Sequence, residues 1–155
     1  MINKIGNYFL TQDINSAHGL KEFSEEEYFT AETAGMKRTL EDEKMFNGNS
    51  IEFASILWEF TTIGSTKGKI YKICLQLNST SKNTAKKVLN TVIQFINKEI
   101  GRYNDHPFLS DKYIWDTTNG NIIIHRIGRF NIHSVNIIFT SNLIREQMLR
   151  LKEGT

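Results

Sequence analysis

Four histidines (His18, His106, His125 and His133) and one cysteine (Cys74) are the side chains here most suited to metal binding or nucleophilic attack. No two histidines stand at i, i+4 on a helical pattern, and no CxxC occurs, so the spacing that converges ligands on zinc is missing. His125 and His133 fall on opposite faces of the strands they belong to, and no metal or cofactor is expected. Cys74 lies in the apolar run Ile73-Cys74-Leu75, which reads as a buried structural thiol rather than a nucleophile. G-x-S-x-G, G-x-G-x-x-G and G-x-x-x-x-G-K-[ST] are all absent. Gly64-Ser65-Thr66-Lys67-Gly68-Lys69 has a phosphate-loop flavour, but no helix N-terminus follows it, so it reads as a solvated hairpin turn. One constellation is left. Arg126 and His133 read as cross-strand neighbours with Tyr113 beside Arg126, a set that could do general acid-base work in a small nuclease or hydrolase. The competing reading is a satisfied polar cluster at the end of the core. No catalytic residue is assigned.

The elements that would position these groups are clearest after residue 50. Ala54, Ile56, Trp58 and Phe60 alternate with Ser55, Leu57 and Glu59, the period of a strand with one apolar face. Tyr71, Ile73, Leu75 and Leu77 repeat the pattern, and the short connection predicts an antiparallel hairpin. Ala85, Val88, Leu89, Val92, Ile93, Ile96 and Ile100 recur at three and four residues, predicting a helix over 81–101 that stops at Gly101. Three strands follow. Asn119-Gly120 predicts a tight turn that pairs Trp115 with Ile124 and Tyr113 with Arg126. A second turn at 128–131 leads into a strand over 132–140. An even loop count puts Val135, Ile137 and Phe139 on the face of Trp115, Ile122 and Ile124, which buries one continuous apolar surface. Ser141 or Asn142 would cap a last helix with the stripe Leu143, Ile144, Met148 and Leu151, ended by Gly154.

Residues 1–50 are less regular. Ser24 and Glu27 have capping-box spacing, predicting a short helix over 25–34 before Gly35. A second short helix is expected from Met36 to Phe46, ended by Asn47-Gly48, and a helical turn through Ile2, Ile5 and Phe9. The expectation is therefore one domain over 1–155: an irregular, short-helical part (1–50) and an α+β core (51–155). That core is a single antiparallel sheet of about five strands, ββ-α-βββ-α, with helices packed on it.

Composition narrows the function further. The 155 residues are 39% hydrophobic and 23% charged, which excludes wholesale disorder. No apolar run is long enough to span a bilayer, and no signal-peptide core opens the chain, so a cytoplasmic protein is expected. The net charge of +2 hides an asymmetry. Residues 1–50 carry nine acids and five bases, and the rest carry eight acids and fourteen bases. The bases are scattered over turns and helix faces, not gathered into the stripe with interleaved aromatics that nucleic acid requires. The acids cluster at Glu25-Glu26-Glu27 and Glu41-Asp42-Glu43. These six are the candidate partner-binding residues, because complementary charge speeds docking on a basic protein.

A small α+β chain, a Trp58-Glu59-Phe60 strand, the Asn119-Gly120 hairpin, no assembled catalytic motif and abundant Asn, Ile and Lys together resemble bacterial immunity proteins. The families in question serve polymorphic toxins and contact-dependent growth inhibition. The resemblance implies a cytoplasmic, non-enzymatic protein that neutralises one cognate toxin domain by binding it, for example a basic nuclease. It assigns no site residue, and the +2 charge departs from the acidic balance of a nuclease inhibitor. Two other readings stand beside it: the small enzyme at Arg126 and His133, and a secretion-chaperone-like homodimeric module.

Overall fold

The computed structural model describes residues 2, 4–36, 38, 40–104, 106 and 111–142. The fold is α+β, built on a seven-stranded antiparallel sheet. Its strands are β3 (Lys21–Glu22), β4 (Lys44–Gly48), β7 (Phe60–Thr66), β8 (Lys69–Ser79), β9 (Lys112–Asp116), β10 (Gly120–Arg129) and β11 (Ile132–Ser141). They lie in the order β3-β4-β7-β8-β11-β10-β9. Two ribbons stand apart from it, β1 (Lys4–Ile5) with β2 (Tyr8–Phe9), and β5 (Ile51–Phe53) with β6 (Ile56–Trp58). Two α-helices, α1 (Glu25–Thr33) and α2 (Lys82–Ile100), and a short 3-10 helix at Ile14–Ser16 complete the described residues.

Helix α2 forms where its apolar period predicts. Ser81 accepts a hydrogen bond from the Thr84 N–H, and Gly101, at φ 106°, ends the helix. Ala85, Leu89, Val92, Ile93 and Ile96 are buried against one sheet face. That face is lined by Ile63, Ile73, Leu75, Ile122, Ile124, Val135, Ile137 and Phe139, each at most 4% exposed. Burying a side chain of this size contributes roughly 2–3 kcal/mol, so the seam between α2 and the sheet dominates the fold. Trp115 fixes its far end, donating from Nε1 to Asn97 Oδ1 at 3.1 Å and to the Gly101 carbonyl at 3.0 Å. The ribbons join the same core through Ile5, Tyr8, Ile51 and Trp58, and Phe53 meets Phe95 and Phe139 edge-on.

The register keeps the expected faces but shifts two pairings. Trp115 opposes Ile122 and Tyr113 opposes Ile124. The turn is longer than a two-residue Asn-Gly loop, because Gly120 is already a strand residue opposite Ser141. A Cβ at 120 would lie 2.1 Å from the Thr140 carbonyl oxygen. A shift of two residues preserves side-chain parity, so Val135, Ile137 and Phe139 still share a face with Trp115, Ile122 and Ile124.

Other expectations are corrected. The strand expected over 54–60 is a hairpin followed by a new strand. Ala54 and Ser55 form its two-residue loop at φ 56° and 61°, the positive values that tight hairpin twist demands. Phe60 consequently leaves the core and is 51% exposed. The turn expected at Ser65–Gly68 narrows to Lys67-Gly68, and Ser65 and Thr66 are strand residues. A bulge between Gly64 and Ser65 pairs Gly64 with Lys72 and Ser65 with Ile70. Tyr71 is the extra residue: it packs on Gly64 and stays outside the main core. The helix expected over 36–46 is contradicted by β4, and the helical turn at the start by β1–β2. Residues 1–50 therefore contribute two strands to the sheet instead of flanking it. The sheet has seven strands, not about five, because β3 and β4 were hidden in that segment. The helix expected from residue 143, and Pro107, lie outside the described residues.

Both flanks of the sheet are covered. Asn104 donates its N–H to the Ile114 carbonyl and accepts the Asp116 N–H, and His106 Nδ1 donates to the Lys112 carbonyl, all along the outer side of β9. On the other flank Tyr28 of α1 accepts the Met45 N–H of β4. Hairpin β10–β11 ends in the loop Phe130-Asn131. Phe130 is fully exposed with φ 55°, a conformation that costs a bulky residue about 1 kcal/mol or more.

Candidate protein-binding surface

The acidic candidates sit on α1 and on the turn before β4. The capping box forms as its spacing requires: Ser24 accepts the Glu27 N–H, and Glu27 accepts the Ser24 N–H. Glu27 also accepts from Asn47 Nδ2 at 2.6 Å, which ties α1 to β4. That bond, then the Ser24 N–H, holds the Glu27 carboxyl below its ordinary pKa. Glu27 is therefore a structural acid. Glu41 pairs with Lys67 at 3.4 Å, and Glu43 accepts from the Tyr71 hydroxyl and the Leu40 N–H. Burial, and next Glu43, push the Tyr71 phenol pKa far up. Asp42 turns the chain at φ 53°.

Glu25 and Glu26 are the remaining pair, exposed on the first turn of α1. No partner is found for either carboxylate among the described residues. Four and three residues on, Phe29 is 70% exposed. Helix α1 buries none of its residues. Its C-terminal end is neutralised, since Glu32 meets Arg38 at 3.3 Å and Arg38 lies over the Tyr28 ring at 4.1 Å. On α1 the exposed acids left are thus Glu25 and Glu26, beside one aromatic ring, while Asp42 stays exposed on the turn before β4. Phe29 was missed in the sequence reading. Its signal was an aromatic four residues after an acid in a helix with no apolar stripe.

Arg126 and His133 do meet. Both project on the α2 side of the sheet, and Arg126 Nη1 donates to His133 Nδ1 at 3.1 Å. Gly128 opposes His133, and a Cβ there would lie 2.9 Å from Nδ1. The dominant partner is one the sequence did not offer, Asp111. Arg126 Nε and Nη2 both lie 2.6 Å from Asp111 Oδ2. Tyr113 faces Ile124, not Arg126, and its phenol pKa is raised by burial and then by Asp111. His106 stacks on Tyr113 at 4.2 Å. A general base needs a lone pair aimed at substrate. The Nδ1 lone pair of His133 is occupied by Arg126, which leaves Nε2 carrying the proton. Neither described cavity is lined by these residues. The geometry is that of an ion-pair cluster closing the end of the core.

His125 and His133 lie on opposite faces, as the register of β10 and β11 requires. No group of three metal-ligating side chains occurs among the described residues. Cys74 is half-buried on the face away from α2, and burial raises its pKa. In the basic turn, Lys67 meets Glu41 and Lys69 meets Asp13 at 3.8 Å, so its charge is largely matched. No helix among the described residues is long and apolar enough to cross a membrane.

Two hollows stand out among the described residues. One, of about 330 Å³, lies at the β9–β10 turn over Ile122 and Phe139, with a rim of Thr and Asn and no charged lining residue among those described. The other, of about 370 Å³, lies at the start of β7 and is lined by Asn47, Gly48, Glu59, Phe60, Thr61, Thr62, Gln76 and Asn78. The chain matches no protein-family model, no curated protein and no solved structure.

Proposed function

We propose that this is a non-enzymatic binding protein, an immunity protein that neutralises a cognate bacterial toxin domain by docking on it. The observation that carries the reading is the outer face of α1. Phe29 stands 70% exposed behind Glu25 and Glu26, on a helix that buries nothing. A helix contributing so little to the core is explained by what it presents. An aromatic anchor bordered by charge is the composition of a protein interface, where aromatics supply affinity and charge supplies association rate. The two acids call for a basic partner, such as a nuclease domain with a positive substrate groove. Covering that groove takes no chemistry, only about 800 Å² of contact per side. The occupied lone pair of His133 disfavours the enzyme reading at Arg126.

The test uses a basic nuclease toxin domain that this protein binds. Glu25→Lys with Glu26→Lys should slow association at least about tenfold at low salt and flatten its salt dependence, because the attraction that salt screens is gone. Phe29→Ala should raise the dissociation rate. Unchanged kinetics in both variants would rule this surface out. Nucleic-acid cleavage by the purified protein, abolished by Arg126→Ala, would establish the enzyme instead.

A further inference from the structure

The sheet face away from α2 carries side chains that a solvated face does not call for. Strand alternation places Ile114, Ile123, Ile127, Ile132 and Ile138 there, together with Phe60. Phe60, Ile127 and Ile132 are 51%, 40% and 52% exposed. An antiparallel sheet with one wet face normally alternates apolar-in with polar-out.

Two exposed features, one in the hairpin loop at the end of this face and one on it, have opposite characters. One is a knob. The loop of β10–β11 projects Phe130 wholly into solvent, at a positive φ where Gly is the usual choice, with Arg129 exposed beside it. Phe130 adds nothing to the core and strains its own backbone. The other is the hollow at the start of β7, a socket of about 370 Å³. Phe60 and Thr62 lie along it, and Glu59 is exposed at its rim. Asn47, Gln76 and Asn78 complete a neutral polar wall. The register joins the two. Phe60 pairs with Gln76, Gln76 with Asn136 and Asn136 with His125. Two residues further along β10, Ile127 begins the knob.

We propose that this face is a two-fold interface between copies of the chain, with Phe130 and Arg129 of each copy seated against Phe60 and Glu59 of the other. A two-fold contact requires that one surface carry both complementary halves, so that residue i meets j and j meets i. This face does so, with a cation at the knob and an anion at the socket. Contact of knob with knob would instead oppose two Arg129 side chains. The ring of Phe130 gains an aromatic partner in Phe60. The interface is distinct from the outer face of α1 and does not rest on the role proposed for it.

Sedimentation velocity on the full chain, from about 10 to about 500 μM, reads the association, a range suited to a contact at the small end of specific interfaces. The wild type should move from monomer toward dimer and stop there. Phe130→Asn should stay monomeric while remaining folded, since Asn suits a positive φ. Arg129→Glu and Glu59→Arg should each be monomeric alone, because each opposes like charges. Mixed one to one, they should form a heterodimer, because both contacts then join opposite charges, one with the native sign and one reversed. Glu25→Lys with Glu26→Lys should leave the dimer unchanged. A wild type that is monomeric throughout, a mixture that fails to associate, or assembly that grows past the dimer would each overturn the proposal.

Discussion

Arg126 grips a single oxygen of Asp111, with Nε and Nη2 both 2.6 Å from Oδ2, and turns its remaining nitrogen to His133. The pair closes the end of the core where β9 stops and β10 continues. The Arg126 side chain is 13% exposed and that of Asp111 30%, so neither is freely solvated. Arg126→Ala strands Asp111 and frees the His133 lone pair. It should cost about 1–3 kcal/mol, the range for losing a sheltered, charged hydrogen bond. Urea unfolding checks this, and a variant as stable as wild type would show the cluster to be incidental.

The seam between α2 and the sheet should be the most sensitive part of the molecule. Leu89→Ala and Ile96→Ala each open a cavity against Ile and Phe side chains and should cost roughly 2–5 kcal/mol. Lys86→Ala, on the exposed side of the same helix, should stay within about 0.5 kcal/mol of wild type. Comparable losses at all three positions would contradict the packing.

Gly120 is constrained by backbone, not by a flexible neighbour. A Cβ there meets the Thr140 carbonyl oxygen at 2.1 Å. Gly120→Ala should therefore cost at least about 2 kcal/mol, as strand β10 must move away from β11. Thermal melting would expose a tolerant strand at once, since the variant would then melt with wild type.

His125 links stability to pH. Burial lowers its pKa below the ordinary 6.5, and Lys112 across the strand adds to this. Its Nδ1 is buried and unpartnered. In the unfolded chain the ring takes up a proton at higher pH than in the fold. As pH falls below 6.5 the unfolded state therefore gains protons first and stability declines, while above 6.5 this contribution is level. The difference in urea midpoint between wild type and His125→Asn should change between about pH 7.5 and about pH 5.5, with wild type losing more on acidification. A constant difference would mean that His125 titrates alike in both states.

Much of the fold was legible because periodicity and caps report local physics. Helix α2 with its Gly101 end, the Ser24 and Glu27 box, and the shared face of Trp115, Ile122 and Val135 all follow from spacing, while Ser79, Thr80 and Ser81 were equal candidates for the cap that Ser81 supplies. The misses have specific causes. Ala54-Ser55 turns the chain without Gly or Asn, so its hairpin carried no turn signal and Phe60 was read as core. Strand β4 has one buried residue, Met45, and its short run Lys44–Gly48, with Met45 and Phe46 adjacent, carries no strand period. The candidate surface was half legible. Acid runs marked α1, but which acids were occupied depended on Asn47, Lys67 and Tyr71, all distant in sequence.

The covered flanks bear on how the chain behaves when crowded. A seven-stranded sheet whose long strands β10 and β11 are rich in Ile is the raw material of a fibril, which grows when a bare strand edge templates the next chain. Here Asn104 and His106 occupy the outer side of β9 with side-chain and loop hydrogen bonds that a foreign strand would have to displace. The opposite flank ends in β3, two residues long and charged at both, with Tyr28 covering the amide of Met45. Edge-to-edge growth is thereby disfavoured at both sides, and association is steered toward the faces.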